Sequence, residues 1–410
     1  MNNPILKSEK DCVGCLACLA VCPKDAILLK YCDFGAKIPY INEEKCIGCK
    51  KCERVCHYSL KTEKVTKKAY VAINKDKALL EKSASGGVFS AFAKLVLSKG
   101  GAVFGAALSF TEDGVRVKHE CVETLSDLPG ILGSKYVQSD CTDAFPAVKQ
   151  LLKEGRAVLF GGTSCQVKAL YAYLDGVDIS ELYTVDLICH GVPSVALLNE
   201  YIRHLESKYD GKITDLTFRT KRDGTIKYEF AFTVRSTKGG KDRSVTIPLK
   251  KSAYYRMFLG AESYQKACYC CDYASVDKPA DITAGDYFEI KDDYPELVTG
   301  KNALKTDLGV SSIIVHSEKG YALLNEAREF IDCIEVDIQK VVRSHSQLQK
   351  PTSYKDRSRL IEIHKSKGFA GIERFYRKKD ILNWKENLSA IIGRNNIRKL
   401  KRIAKKLLRR

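Results

Sequence analysis

The stretch Cys12-Val-Gly-Cys15-Leu-Ala-Cys18-Leu-Ala-Val-Cys22-Pro23 returns 34 residues on as Cys46-Ile-Gly-Cys49-Lys-Lys-Cys52-Glu-Arg-Val-Cys56-His57. Two residues between successive cysteines let one tight loop bring three thiolates to three irons of a cubane, while the fourth cysteine of each run reaches the other cluster. The expected ligand sets are therefore interleaved. Cys12, Cys15, Cys18 and Cys56 hold one 4Fe-4S cluster, and Cys46, Cys49, Cys52 and Cys22 hold the second. Gly14 and Gly48 occupy matching places in the two loops, where a missing side chain lets the backbone aim N–H groups at the sulfurs. Structural zinc pairs its cysteines in twos instead of crowding three into seven residues, and so fits the spacing poorly. His57 stands where a proline often follows the last cysteine, and it displaces no ligand.

A chain of 410 residues exceeds one small core. The expected organisation is an α+β ferredoxin-like double-cluster module over 1–65, an α/β domain over 66–350 and a basic helical tail over 351–410. Seventeen cysteines behind a start, Met1 to Asp11, that lacks an apolar export stretch point to a reducing cytoplasm. The longest apolar run, around Ala102 to Phe110, falls short of the roughly 18 residues that a membrane span requires.

Strand-and-turn grammar follows the clusters. Ser83-Ala-Ser-Gly-Gly87 runs into Val88, Phe89, Phe92, Leu95 and Val96 at helical spacing, and a helix start of this kind either binds an anion through free N–H groups or is an ordinary serine cap. Val158-Leu-Phe160 reads as a strand turning through Gly161-Gly-Thr-Ser-Cys-Gln166 into a helix, and Tyr183 to Ile188 as a strand ending in Cys189-His-Gly-Val-Pro193. Residues 213–250 alternate apolar and polar around Gly239-Gly240, the pattern of a β-hairpin excursion. This order predicts a parallel sheet with functional groups at the carboxyl ends of its strands.

Nine cysteines lie outside the repeat. Cys165 and Cys189 end strands, and Cys268 and Cys271 form a Cys-x-x-Cys clip. A third cluster, a zinc site and plain core cysteines all remain open on spacing alone, as does a nucleophilic Cys165 with His190 as its base.

Taken in order, Ser83-Ala-Ser-Gly-Gly87, Gly133-Ser-Lys-Tyr-Val-Gln138, Gly162-Thr-Ser-Cys-Gln166, Ile188-Cys-His-Gly-Val-Pro-Ser194 and Asp281-Ile-Thr-Ala-Gly-Asp286 resemble the coenzyme F420 hydrogenase/dehydrogenase beta-subunit family, in the bacterial form with an N-terminal double-cluster ferredoxin. The likeness spans about residues 1–340. It implies an FAD- and iron-sulfur-dependent oxidoreductase whose third 4Fe-4S cluster takes Cys165, Cys189, Cys268 and Cys271 as metal ligands. It also implies that Ser83, Ser85, Gly86 and Gly87, with Ser134, Lys135 and Tyr136, face the FAD. Small residues and helix N–H groups suit a pyrophosphate, and a lysine suits a flavin's developing anion. Ser164 departs from the usual proline before Cys165, and Tyr287-Phe288 from an aromatic pair ending in tryptophan. The resemblance further implies a small-molecule two-electron substrate, coenzyme F420-like or one met in surface-polysaccharide metabolism, and a redox partner such as ferredoxin. A non-catalytic electron-transfer subunit serving a partner enzyme is the alternative.

The net charge of +18 is concentrated at the end, where His364 to Arg410 carry 16 Lys and Arg against Glu373, Asp380 and Glu386. Within Asn395–Arg410, Ile397, Leu400, Ile403 and Leu407 share one helical face. Such a helix suits an anionic membrane surface or an acidic partner, which would make the protein peripheral to the inner face of the membrane. It suits nucleic acid less well, since no aromatic stacking surface accompanies it. Co-sedimentation with anionic liposomes is expected for the full chain, weakening as salt rises, and lost on truncation after Lys379. Equal pelleting of both proteins excludes the tail as the anchor.

Overall fold

The computed structural model describes residues 4–57, 67–236, 240–300 and 303–392, with side chains as far as 381. The cysteine repeat is a repeat of backbone conformation as well as of sequence. Gly14 (φ 63°) and Gly48 (φ 67°) take matching left-handed turns. Leu16 and Lys50, two residues later in each copy, are also left-handed, at φ 60° and 57°, and each leads into a short helix, Ala17–Ala20 and Lys51–Cys56. Each left-handed pair curls its loop inward on the place its three sulfurs surround. The antiparallel strands β1 (Ile27–Tyr31) and β2 (Lys37–Ile41) join the two copies.

The next eight strands in the large sheet are β3 (Lys68–Asn74), β4 (Ala102–Thr111), β5 (Gly114–Val122), β6 (Val158–Thr163), β7 (Leu182–Leu187), β11 (Ile282–Asp286), β12 (Ser311–Val315) and β13 (Ile331–Val336). Their order is β13-β3-β12-β11-β7-β6-β4-β5. β4, β6, β7 and β11 run parallel. The sheet is therefore mixed, with the parallel strands read from the sequence at its centre. The short Thr111–Gly114 turn can only return antiparallel, and β12 comes back antiparallel beside β11. Cys165, Cys189 and Asp286 stand at or just past the carboxyl ends of β6, β7 and β11, neighbours in the sheet.

Residues 211–248 form a separate antiparallel sheet of β8 (Gly211–Arg222), β9 (Thr225–Ser236) and β10 (Arg243–Pro248). The excursion is present, but its tight turn is Asp223-Gly224. Both residues are left-handed (φ 54° and 70°), as a two-residue hairpin loop with the right twist demands. Residues 237–239 lie outside the described segments.

The cysteine-rich segment does not keep a core to itself. Ala17, Cys18, Ile27, Cys52 and Val55 are buried in one cluster with Phe104, Phe145, Phe160, Val167 and Leu170 of the large sheet and its helices. The chain divides into two compact units, one through Lys355 and a second from Asp356 onward. The second is the helix Ser358–Ile392, interrupted at Gly368 (φ 56°, ψ −160°). The amphipathic segment Asn395–Arg410 lies outside the described residues. Among the described residues no helix is long and apolar enough to cross a membrane.

Gly35 marks where the cysteine-rich segment meets the helix Val195–Tyr209. It is left-handed (φ 71°), and a Cβ there would lie 2.4 Å from Ala196 Cβ. Gly176 has a similar φ of 76° with no atom within 4 Å of its virtual Cβ. Gly176→Ala is therefore expected to cost only the backbone share, about 1 kcal/mol. Gly35→Ala adds an overlap of about 1–3 kcal/mol, and urea denaturation of the two variants measures the difference.

Candidate iron-sulfur and cofactor site

Three groups of thiols assemble. Cys12, Cys15, Cys18 and Cys56 lie within electrostatic reach of one another. Burial pushes the Cys15 thiol up to about 11 and raises Cys12 and Cys18 as well, while the N–H groups of Gly14 and Ala17 oppose this at Cys12 and Cys15. Cys22, Cys46, Cys49 and Cys52 together line one small open pocket, with Pro4, Pro23, Ile27 and Ile47. Ala26 N–H donates to Cys22 Sγ at 3.3 Å. The fold thus brings Cys56 to the thiols of the first loop and Cys22 to those of the second. Cys18 is also within reach of Cys52, so the two groups are neighbours.

The dispersed cysteines gather too. Cys165 feels Cys189, Cys268 and Cys271, and each of these is raised by burial, Cys268 to about 12. Backbone N–H groups again point at sulfur, from Gly191 to Cys189, from Val192 to Cys268 and from Tyr273 to Cys271. Gly191 (φ 129°) is required for this loop, since a Cβ would sit 2.3 Å from the Tyr264 ring. Ser164 is the first residue of the helix Ser164–Tyr173, capped by Thr163 and Gln166. Proline suits that first helical position, and with serine there the capped turn is still formed. Cys165 Sγ lies 3.1 Å from Thr163 Oγ1, and His190 Nδ1 bonds Gln347 instead of a cysteine.

The thiols that burial raises stay protonated at neutral pH, and a metal cluster would displace their protons. Among the described residues no three His, Cys, Asp or Glu side chains close on a single-ion point. A cubane asks for something else, four thiolates with N–H groups around them, and each of the three groups brings four thiols together.

The third group borders the first. Cys141, buried, is within reach of both Cys15 and Cys165, and Tyr273 of Cys15, Cys165 and Cys271. Below the third group Asp186 is fully buried, which lifts its carboxyl to about 6. Its Oδ1 accepts from Thr283 Oγ1 at 2.5 Å, and that hydroxyl also meets His316 Nε2 at 2.8 Å.

Beyond the thiols the loops 83–87 and 133–138 come together around Arg219. Its guanidinium donates to both oxygens of Asp286 (2.9 and 2.8 Å), to Ala84 O (3.1 Å) and to Tyr136 Oη, and lies 4.6 Å from the Tyr228 ring centroid. Burial alone would lower the Arg219 pKa, but the Asp286 carboxylate raises it above its ordinary value. Arg219 escaped the sequence reading because it is an ordinary polar position in the β8 alternation, on the face opposite the buried Phe218, and only the fold brings that face to Asp286.

The expected FAD-facing residues are placed as follows. Ser83 Oγ donates to Leu79 O and Ser85 Oγ to Val310 O, at 2.7 and 2.8 Å. Gly86 packs where a Cβ would meet Ala72 O at 2.4 Å, and Gly87 is the left-handed cap of the helix Val88–Ser98, with no side chain bonded to its first N–H groups. Tyr136 is half-buried and its ring packs against Phe218, Tyr255 and Phe258. Ser134 precedes Lys135 in the same loop, and Lys135 donates to Leu132 O at 2.6 Å. Lys221, which sequence reading missed, donates to Leu80 O and Ser85 O at 2.6 Å each. Burial depresses both lysines to about 8. Two half-buried ammonium groups held by carbonyls keep protons free for an anion.

Cysteine quartets in series beside a mixed α/β sheet define an iron-sulfur electron-transfer protein. Residues 11–60 match the family model of the 4Fe-4S dicluster domain, and residues 155–340 that of the C terminus of the coenzyme F420 hydrogenase/dehydrogenase beta subunit. The chain thus joins a 4Fe-4S dicluster domain to a segment that matches the C-terminal domain of the beta subunit. No curated protein matches it. Among solved structures, the F420-reducing [NiFe] hydrogenase complex from Methanosarcina barkeri contains a similar chain, 17% identical over 74% of this chain and 94% of that one, with a TM-score of 0.41.

The Arg219–Asp286 pair is largely buried, at 11% and 18% side-chain exposure. Arg219→Leu strands the carboxylate and is expected to destabilise by about 3–5 kcal/mol, whereas Arg219→Leu with Asp286→Leu should recover most of that loss. A double-mutant cycle by chemical denaturation measures both.

Proposed function

We propose that the chain is an iron-sulfur flavoprotein oxidoreductase in which electrons pass between a partner protein such as ferredoxin and a bound FAD. The order is the Cys22/Cys46/Cys49/Cys52 cluster, then the Cys12/Cys15/Cys18/Cys56 cluster, then a third on Cys165, Cys189, Cys268 and Cys271. The observation that carries this reading is the sequence of thiol groups, each within reach of the next, ending at the sheet edge where loops 83–87 and 133–136 meet. When bound, the flavin supplies the exchange between single electrons and a two-electron transfer to a small molecule, coenzyme F420-like or of another class. Gly87 and the helix N–H groups after it would hold the pyrophosphate. Lys135 and Lys221 would hold negative charge, and Arg219 keeps the two loops together. The seventeen cysteines are all unpaired, which suits a reducing cytoplasm.

A second reading, an electron-transfer subunit without its own flavin, draws on the Ser83 and Ser85 hydroxyls being engaged within the protein. Anaerobic purification separates the two. Three cubanes give about 12 iron atoms per chain against about 8 for the dicluster domain alone, with about a third of the iron lost in Cys165→Ser. Released FAD, reduced in content by Lys135→Ala, supports the flavoprotein. Full iron without flavin supports the electron-transfer subunit. About 8 iron atoms, unchanged in Cys165→Ser, removes the third cluster.

A further inference from the structure

Gln138 ends the loop whose earlier residues flank the candidate flavin site, yet its side chain reaches the dicluster domain. Nε2 donates to Val13 O at 2.9 Å and to Gly14 O at 2.8 Å. Oε1 accepts from Gln265 Nε2, and the Gln138 backbone N–H donates to Pro193 O at 3.0 Å. Gln265 binds the same seam from the other side. Its N–H donates to Val192 O at 3.1 Å, and its carbonyl accepts from Cys268 N–H at 3.0 Å. A Cβ on Gly14 would lie 3.0 Å from both amide groups, so the glycine is what lets the pair lie against the loop.

A trans peptide points its C=O and its N–H in opposite directions. Holding Val13 O therefore turns Gly14 N–H the other way, and that N–H is the one directed at the Cys12 sulfur. Holding Gly14 O does the same for Cys15 N–H, which is directed at its own sulfur. One side chain from the large-sheet domain thus fixes two peptide dipoles on two ligands of the first cluster. N–H groups on cluster sulfurs stabilise the more negative, reduced form and raise the reduction potential.

We propose that Gln138 is a positioning residue that holds up the reduction potential of the Cys12/Cys15/Cys18/Cys56 cluster, with Gln265 as its support. This makes the dicluster domain's first cluster a tuned relay whose potential is set partly by the domain it feeds. The inference rests on the dicluster reading of residues 11–60 and is independent of the flavin and of the third cluster.

The test is an EPR-monitored redox titration of full-length wild type, Gln138→Leu and Gln265→Leu, each with its iron content measured. The first cluster's signal is identified as the one altered in Cys12→Ser. A lower midpoint for that cluster in Gln138→Leu, a smaller shift in the same direction in Gln265→Leu, and unmoved midpoints elsewhere support the assignment. Unchanged midpoints at full iron content overturn it, as does an equal shift of every cluster, which would mean a general loosening. Should Gln138→Leu fail to retain iron, the Gln265→Leu titration decides on the same terms. Absence of a third signal in wild type would count against the three-cluster chain and leave this reading of the first cluster standing.

Discussion

The burial of Ala17, Cys18, Cys52 and Val55 against Phe104, Phe160, Val167 and Leu170 is the contact on which the other features depend. Large side chains fully withdrawn from water contribute about 1.5–3 kcal/mol each. A shared core of this size holds the cysteine-rich segment as part of the sheet domain, where a tethered module would swing on its linker. Electron transfer between clusters needs fixed separations. Here the fixing is done by apolar packing, with Ser194 bonded to Phe34 O and the Gln138–Gln265 pair closing the polar rim of the same boundary.

How much of this was readable from sequence depended on how local each signal is. The eight cysteines of the repeat declare themselves because a cubane dictates spacing within about seven residues, and the left-handed glycines follow from the same loop. Cys165, Cys189, Cys268 and Cys271 carry no such spacing. They meet only because β6 and β7 are neighbours and the 268–271 turn folds back over their ends, so the family resemblance, not the pattern, pointed to them. Arg219 was invisible for a further reason. Its β8 strand reads as plain alternation, and Asp286, 67 residues further on, meets the guanidinium only through the fold. The Asp223-Gly224 turn was legible, as an Asp-Gly pair between alternating runs, but Gly239-Gly240 drew the hairpin assignment away from it.

Mixed topology has the same origin. Strand, glycine turn and helix describe β6 and β7 correctly, and from them a parallel sheet follows. The sheet's other strands enter through connections that leave no periodic trace, such as the 287–310 excursion between β11 and β12. What the parallel core does settle is where chemistry collects, because β6, β7 and β11 deliver Cys165, Cys189 and Asp286 to a single edge.

At that edge the charges are unbalanced in an instructive way. Asp286 is matched by Arg219, whereas Lys135 and Lys221 donate to backbone carbonyls. Their folded pKa values, about 8, lie below the ordinary lysine value of 10.5. Between those two limits the unfolded chain binds more protons than the folded one, so this pair makes stability rise with pH across that window. Below pH 8 both forms are charged and the burial penalty is carried in full. A bound anion at the same place reverses the balance, because its negative charge favours the ammonium form and raises both pKa values toward normal. Binding an anion there therefore takes up protons near pH 8. The folded protein keeps two desolvated cations at a cost to its own stability, and an anionic cofactor is what would turn that cost into affinity.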